Sequence, residues 1–224
     1  MSVLLALDTS ATASVALVAD GETRAEWTTE STTAHAEVLA PAVRSVVAEA
    51  ELRGEDLDGI AVGVGPGPFT GLRVGLATAA ALGFAWDVPV HGVCSLDALA
   101  HRAARHAFEA AEEEFVVAID ARRREVYWSH YAQVGGQPTP LHGPFVTAPD
   151  DVTPLPAYGA GAGLYPQALH AVTGWQDATP DAASLGAVAE LALRRGRGLR
   201  PVEPLYLRES DAKVPGPRKR AGGR

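Results

Sequence analysis

The chain has 224 residues, 47% apolar and 21% charged, with 27 Asp and Glu against 19 Lys and Arg and a formal net charge of −8. That supplies apolar side chain enough for one large domain or two small ones, and the acidity argues against a self-sufficient nucleic-acid binder, which presents a basic face. One cysteine, Cys94, excludes an internal disulfide framework; no apolar run reaches the roughly 18–20 residues of a membrane span; and the start of the chain runs into Asp8 without the basic region of a signal peptide, so the expected location is the cytoplasm.

Residues 3–7 form an apolar strand that stops at Asp8-Thr9-Ser10. Residues 14–19 give a second strand, Asp20-Gly21 a hairpin turn, and residues 22–29 a third, so the chain opens as an antiparallel meander. Residues 31–35 are polar and read as a loop. Residues 38–50 then carry Val38, Leu39, Ala42, Val43, Val46 and Val47 on one broad helical stripe, with Pro41 fitting only if the helix starts just before it.

Residues 60–86, IAVGVGPGPFTGLRVGLATAAALGFAW, are the most informative stretch. Ile60 to Val64 suits a buried strand, and Gly65-Pro66-Gly67-Pro68-Phe69 must be a loop. Thr70 is the predicted N-cap of a helix over residues 71–84. That helix is apolar or small nearly all round, so both of its sides need cover. Glycine inside a helix costs about 0.5–1 kcal/mol relative to alanine, so Gly75 and Gly83 point to close backbone approach. Residues 90–93 form a short strand, and Ser95 is the predicted cap of a helix over residues 96–111.

The second half restarts the pattern: a strand over residues 115–119 ending at Asp120, a strand over 125–132, a turn at Gly135-Gly136, and a broken strand over 139–146. The order recurs after about 112 residues, too long for a solenoid repeat and consistent with two copies of one unit. A short strand at 157–159 and helices over 165–172 and 184–195 follow. The last twelve residues hold two Lys, three Arg and no acid among Pro and Gly, and read as a disordered tail; the body before them carries 14 basic against 27 acidic residues. The predicted organisation is residues 1–111, residues 112–210 and a basic tail from 211 to 224.

Candidate chemistry is sparse. Asp8 and Ser10, with Gly65, Gly67 and Thr70, are weak candidates for a phosphate cradle, since a loop ending at a helix N-terminus suits an anion. No Gly-Lys-[Ser/Thr] follows, and two prolines remove donors. The preferred readings are a turn satisfied by Asp8 through local hydrogen bonds and a rigid loop setting the angle of the following helix. The seven His are scattered, with no metal-ligand spacing. His35 and Glu37 read as helix-entry residues and Cys94 as a buried small residue. Arg122, Arg123 and Arg124, flanked by Asp120 and Glu125, either meet RNA or a partner acid or are simply solvated.

GPGPFTGLRVG (residues 65–75) resembles the signature of the TsaB (YeaZ) family, with Pro68 where many members carry Ser. LALDTS, HAEVLAP, DARRREVYW and PLYLR are similar to further family phrases, so the resemblance covers about residues 3–210. It implies a duplicated α/β RNase H-like (ASKHA) fold, a small version without the insertions of the sugar-kinase-like ATPases. It implies a non-catalytic subunit that binds and activates TsaD, with TsaE and ATP joining, to make threonylcarbamoyladenosine beside the anticodon of tRNAs reading ANN codons. The HxxxH metal pair of the catalytic family TsaD is missing here, so metal and ATP are expected in the partner subunits and no cofactor in this one. By the same resemblance the two N-terminal helices pack on TsaD. The residues expected there are Val38, Leu39, Ala42, Val46, Gly71, Leu72, Gly75 and Leu82, with Gly75→Leu blocking assembly in a still soluble fold. Alone, the patch is expected to form a homodimer; tRNA is met only through the complex, and no membrane is expected. The alternative is a small ASKHA phosphotransferase or ATPase using Asp8, Ser10 and the glycine loop. A protease would need a nucleophile–base pair or metal that the sequence lacks.

Overall fold

The computed structural model describes residues 2–29 and 35–208. Val3–Asp8 (β1), Ser14–Ala19 (β2) and Glu22–Thr28 (β3) form the predicted antiparallel meander; β1 also pairs in parallel with Gly59–Gly63 (β4), and β4 with Val90–Val93 (β5). The second half repeats this plan. Glu114–Asp120 (β6), Val126–Val134 (β7) and Gln137–Thr147 (β8) form the meander, β6 pairs in parallel with Pro156–Tyr158 (β9), and β9 with His170–Ala171 (β10). The two strand orders, β3-β2-β1-β4-β5 and β8-β7-β6-β9-β10, are the same arrangement. This is the duplicated RNase H-like α/β fold that the sequence predicts.

The helices are His35–Glu49 (α1), Phe69–Trp86 (α2), Ser95–Glu109 (α3), Ala160–Leu164 (α4) and Ala182–Arg194 (α5). The second copy is pared down. A three-residue 3-10 turn, Pro149–Asp151, stands where the first copy has α1, and α4 has five residues where α2 has 18. The copies also exchange their last helices. Leu96, Leu99, Ala103 and Ala107 of α3 pack on Phe115 and Val117 of the second sheet, whereas Leu185 and Ala189 of α5 pack on Leu4, Ala6, Ala16 and Val18 of the first. The chain changes sheets near residue 111, but the helix exchange ties the halves together through their cores.

Several expected boundaries move. The helix expected over 165–172 is absent: Tyr165 ends α4, Pro166 follows, and the chain instead lays His170–Ala171 against β9, with Val172 N–H donating to Ala157 O at 3.0 Å. Helix α2 starts at Phe69 with Pro68 as its N-cap in an extended conformation, so Thr70 lies in the first turn and caps nothing. Cys94, not Ser95, is the N-cap of α3. Helix α1 begins at His35 and carries Pro41 inside it; an interior proline removes one helical donor. The basic tail, the residue 31–34 loop and the His35 side chain lie outside what is described.

Glu190 of α5 holds the first hairpin. One carboxylate oxygen accepts from Gly21 N–H at 2.6 Å and the other meets Arg194 at 2.7 Å, while Arg194 also reaches Asp20 at 3.0 Å. Glu190 is only 2% exposed. Glu190→Gln removes the charge and keeps the shape, so a loss of about 1–2 kcal/mol is expected in urea unfolding; an unchanged midpoint would show that this bridge contributes nothing net.

Candidate partner-binding face

The first loop is built on a buried acid. Asp8 is fully buried at the end of β1. Its Oδ1 accepts from the Ser10 N–H at 2.8 Å and the Ser10 hydroxyl at 2.6 Å; its Oδ2 accepts from the Ser95 hydroxyl at 2.6 Å. From β4, an added Cβ on Gly63 would stand 2.0 Å from Asp8 Oδ2. Burial pushes the Asp8 carboxyl above its usual range, against the pull of these hydrogen bonds. Both oxygens are thus committed to protein donors, and the acid works as a buried brace between β1, its own turn and α3.

The sign of this shift makes a prediction. A carboxyl whose folded pKa is raised favours the fold fully at pH below the unfolded value near 4, and that contribution is lost as pH rises through the folded value. Asp8→Asn keeps the shape and removes the titration. Its stability relative to the parent should therefore improve as pH rises from about 4 toward 7, read as the pH dependence of urea unfolding; a pH-independent difference would refute the buried ionisation.

The glycine loop leans on the first. Gly65 takes φ +98°, its carbonyl accepts from Ser95 N–H at 2.8 Å, and a Cβ on Gly67 would stand 2.7 Å from Ser10 O and 2.8 Å from Ser10 Cα. Backbone therefore fills the room that a phosphate between the two loops would need. Beside them a cleft of about 320 Å³ opens between the halves, lined by Ser10, Thr12, Pro68, Asp120, Arg122 and Asp177 among others. Arg122 is held by Asp120 at 3.1 Å, so the cleft faces a polyphosphate with two carboxylates and one paired guanidinium. Among the described residues, no three His, Cys, Asp or Glu are grouped to hold a metal ion. Burial pushes the Cys94 thiol up to about 12, which leaves no thiolate at neutral pH. Arg122, Arg123 and Arg124 all adopt left-handed φ (60°, 56° and 63°) in a tight turn against which Arg208 pairs with Glu125.

The two faces of α2 have different surroundings. Gly71, Leu72, Gly75, Leu76, Ala79 and Gly83 are buried on the molecule's own sheet. The Thr9 hydroxyl donates to Gly71 O at 2.9 Å, a Cβ on Gly75 would stand 2.3 Å from Thr9 Oγ1, and a Cβ on Gly83 would stand 2.4 Å from Val90 Cγ2. The glycines therefore record close approach to β1 and β5, not to a partner. This corrects the expected interface residues. Leu39, Ala42, Val46 and Leu72 are buried, at 1%, 3%, 1% and 0% exposure, and Gly71 and Gly75 face Thr9. Only Val38 and Leu82 are partly open.

The outward stripe of α2 is Arg73, Ala77, Ala80, Ala81 and Phe84, and Phe84 is 92% exposed. Its N-terminal end is covered from the chain's own C-terminal strap: Phe69 stacks on Tyr206 with centroids 5.0 Å apart, and Arg73 lies over Phe69 and donates to the Tyr206 hydroxyl at 2.9 Å. The exposed positions of the remainder, from Ala77 to Phe84, have no cover among the described residues. Beside it α1 presents Ala40, Pro41, Arg44, Ser45 and Ala48, and the two helices touch. By length and composition α2 is apolar enough to cross a membrane, which the expected run lengths did not anticipate; its glycine face is seated on the end of β1 and on β5, so what is left open is a stripe, not a span. The missed signal is the 77-80-81-84 spacing of small residues ending in a phenylalanine with no place on its own sheet.

Comparison with known proteins agrees with this architecture. The family TsaD: tRNA N6-adenosine threonylcarbamoyltransferase matches residues 28–171. The Escherichia coli tRNA threonylcarbamoyladenosine biosynthesis protein TsaB is 31% identical over 95% of this chain and 98% of its own length. An uncharacterized Mycobacterium tuberculosis protein is 41% identical over 95% of both chains. The crystal structure of YeaZ from Pseudomonas aeruginosa superposes with a TM-score of 0.80 at 34% identity, covering 92% of this chain and all of that one. With relatives matched end to end, the same duplicated fold and no HxxxH pair, the chain belongs to the TsaB (YeaZ) family.

Proposed function

We propose that this protein is the non-catalytic partner subunit in the synthesis of threonylcarbamoyladenosine in tRNA, and that it docks on TsaD through the outward face of α1 and α2. The observation that carries the reading is the uncovered stripe from Ala77 to Phe84, with Phe84 92% exposed. Small residues let two helices approach closely, and one aromatic supplies an anchor, which is the anatomy of a compact hot spot. Binding would stabilise one TsaD state, so the subunit acts by differential affinity and not by its own chemistry. TsaE and ATP join through the complex, metal and nucleotide chemistry belong to the partners, and tRNA is met by the assembly. In the absence of TsaD the same stripe pairs with a second copy about a two-fold axis.

The phosphotransferase alternative has less support, because Asp8 is closed off by Ser10, Ser95 and Gly63 and the loop around Gly67 lies on Ser10. The deciding experiment is light scattering after size exclusion on the chain alone and mixed with TsaD of the same organism. A heterodimer peak that replaces any homodimer supports the reading. Separate elution with ATP, TsaE and tRNA all present, together with heat on adding Mg-ATP to the chain alone, would overturn it in favour of the enzyme.

A further inference from the structure

A second hollow, of about 360 Å³, lies between α3, the end of α5 and the β7–β8 hairpin. It shares no lining residue with the interlobe cleft and none with the α1–α2 face. Its inner wall holds Asp97 and His101. The Tyr131 hydroxyl donates to Asp97 Oδ1 at 2.8 Å, while Oδ2 takes no hydrogen bond among the described residues. His101, though largely buried, makes no hydrogen bond or ion pair there either, and burial holds its pKa down, so the ring offers one donor and one acceptor. Outermost stand Arg195 and Arg197, both exposed and neither in an ion pair among the described residues. Val188, Leu191, Pro138 and Pro140 supply apolar walls between the two ends.

Neither the fold nor the docking face uses this arrangement. A part-buried carboxylate with one oxygen open to the hollow is suited to accept from a ligand N–H, because a hydrogen bond to a charged acceptor is stronger than a neutral one. Two free guanidiniums in an acidic body select an anion, best a phosphate. Apolar walls select a flat or apolar body between these ends. A fatty acid would offer Asp97 no donor, a polyamine would be repelled by the arginines, and inorganic phosphate would use neither the walls nor Asp97. We propose that this hollow binds a nucleotide, with the phosphate on Arg195 and Arg197 and an N–H edge of the base on Asp97 and His101. The nucleotide comes either free or as an unstacked residue of a single RNA strand, where such bases are read on their edges.

The test is a methyl-detected NMR titration of the full chain with AMP, GMP and inorganic phosphate, beside fluorescence anisotropy with a short single-stranded oligoribonucleotide. The expected result is saturable shifts at Val188, Leu191 and Val134 with a nucleotide. Arg195→Ala with Arg197→Ala should weaken that binding at least about tenfold. Asp97→Asn, which still accepts from Tyr131, should weaken the nucleotide by about tenfold and leave phosphate binding as it was. Unchanged melting of each variant keeps the comparison clean, and His101→Ala is the second probe if Asp97→Asn melts early. Tighter binding of the oligonucleotide than of AMP or GMP assigns the site to RNA; equal or weaker binding assigns it to the free nucleotide. Shifts confined to Ile119 and Leu164 of the interlobe cleft, phosphate binding as tight as nucleotide, or no saturation by any of these probes up to about 10 mM would overturn the proposal. Because the site and the α1–α2 face have no residue in common, failure here leaves the docking reading untouched, and the reverse.

Discussion

Phe84→Glu is expected to abolish co-elution with TsaD while leaving the melting of the isolated chain unchanged to within about 2 °C. The asymmetry follows from exposure. At 92% exposed, the Phe84 ring contributes almost nothing to the monomer, and surface substitutions away from special features change stability by about 0.5 kcal/mol or less. In the docked state the same ring is an apolar anchor, and a glutamate there must lose its water against a surface of alanines. Truncating a central aromatic costs about 2–4 kcal/mol, and the buried charge adds to it, so the affinity should fall by about a hundredfold or more. Phe108→Glu is the matched control. Phe108 is 64% exposed at the end of α3, away from the α1–α2 face, and should leave assembly intact. Co-elution of the Phe84 variant at the parent's strength would move the interface elsewhere.

The frame was legible because its signals are local. Asp20-Gly21 and Gly135-Gly136 mark the hairpins of β2–β3 and β7–β8, and the repeat of strand, Asp, strand, turn, strand announced two copies of one unit. The connections of the second copy were not legible. AGAGL at α4 has weak helix propensity, because glycine is a poor helix former; the first turn is there because Gly159 and Gly161 let it press on Ala118 of β6. Residues 165–172 carry helix-like apolar spacing, yet the edge of β9 offers unpaired backbone groups and takes His170–Ala171 instead. Ser95 is a good cap by type, but Asp8 claims its hydroxyl from 87 residues away. Most of the expected interface residues turn out buried for a related reason. On a helix small or apolar all round, periodicity identifies a stripe but not which stripe faces the sheet. Leu39, Ala42, Val46 and Leu72 are apolar because they are core, while the outward residues are small alanines that carry little hydropathic signal of their own.

Gly75 separates the two faces by the sign of a stability change. If Gly75 met a partner, Gly75→Ala would stabilise the isolated chain, since alanine in a helix interior is favoured over glycine by about 1 kcal/mol. In this structure the new Cβ would instead stand 2.3 Å from Thr9 Oγ1, and that hydroxyl is held in place by its bond to Gly71 O at 2.9 Å. Overpacking of a closed contact costs about 1–3 kcal/mol, so the single variant should lose about 1–2 kcal/mol net. Gly75→Leu adds three more carbons to the same gap and should cost at least about 3 kcal/mol, a large share of the 5–15 kcal/mol typical of a domain, so little soluble protein is expected instead of the soluble, assembly-deficient chain that a partner-facing glycine implies. The decisive arm is the double-mutant cycle. Thr9→Ala removes Oγ1 and the Cγ2 at 3.4 Å and leaves only Cβ at 3.5 Å, an ordinary contact. In that background Gly75→Ala should change sign and stabilise the fold by about the helix-propensity difference. A stabilising Gly75→Ala in the parent chain, measured by urea unfolding, would return Gly75 to the outward face and undo the assignment of the sheet-facing side.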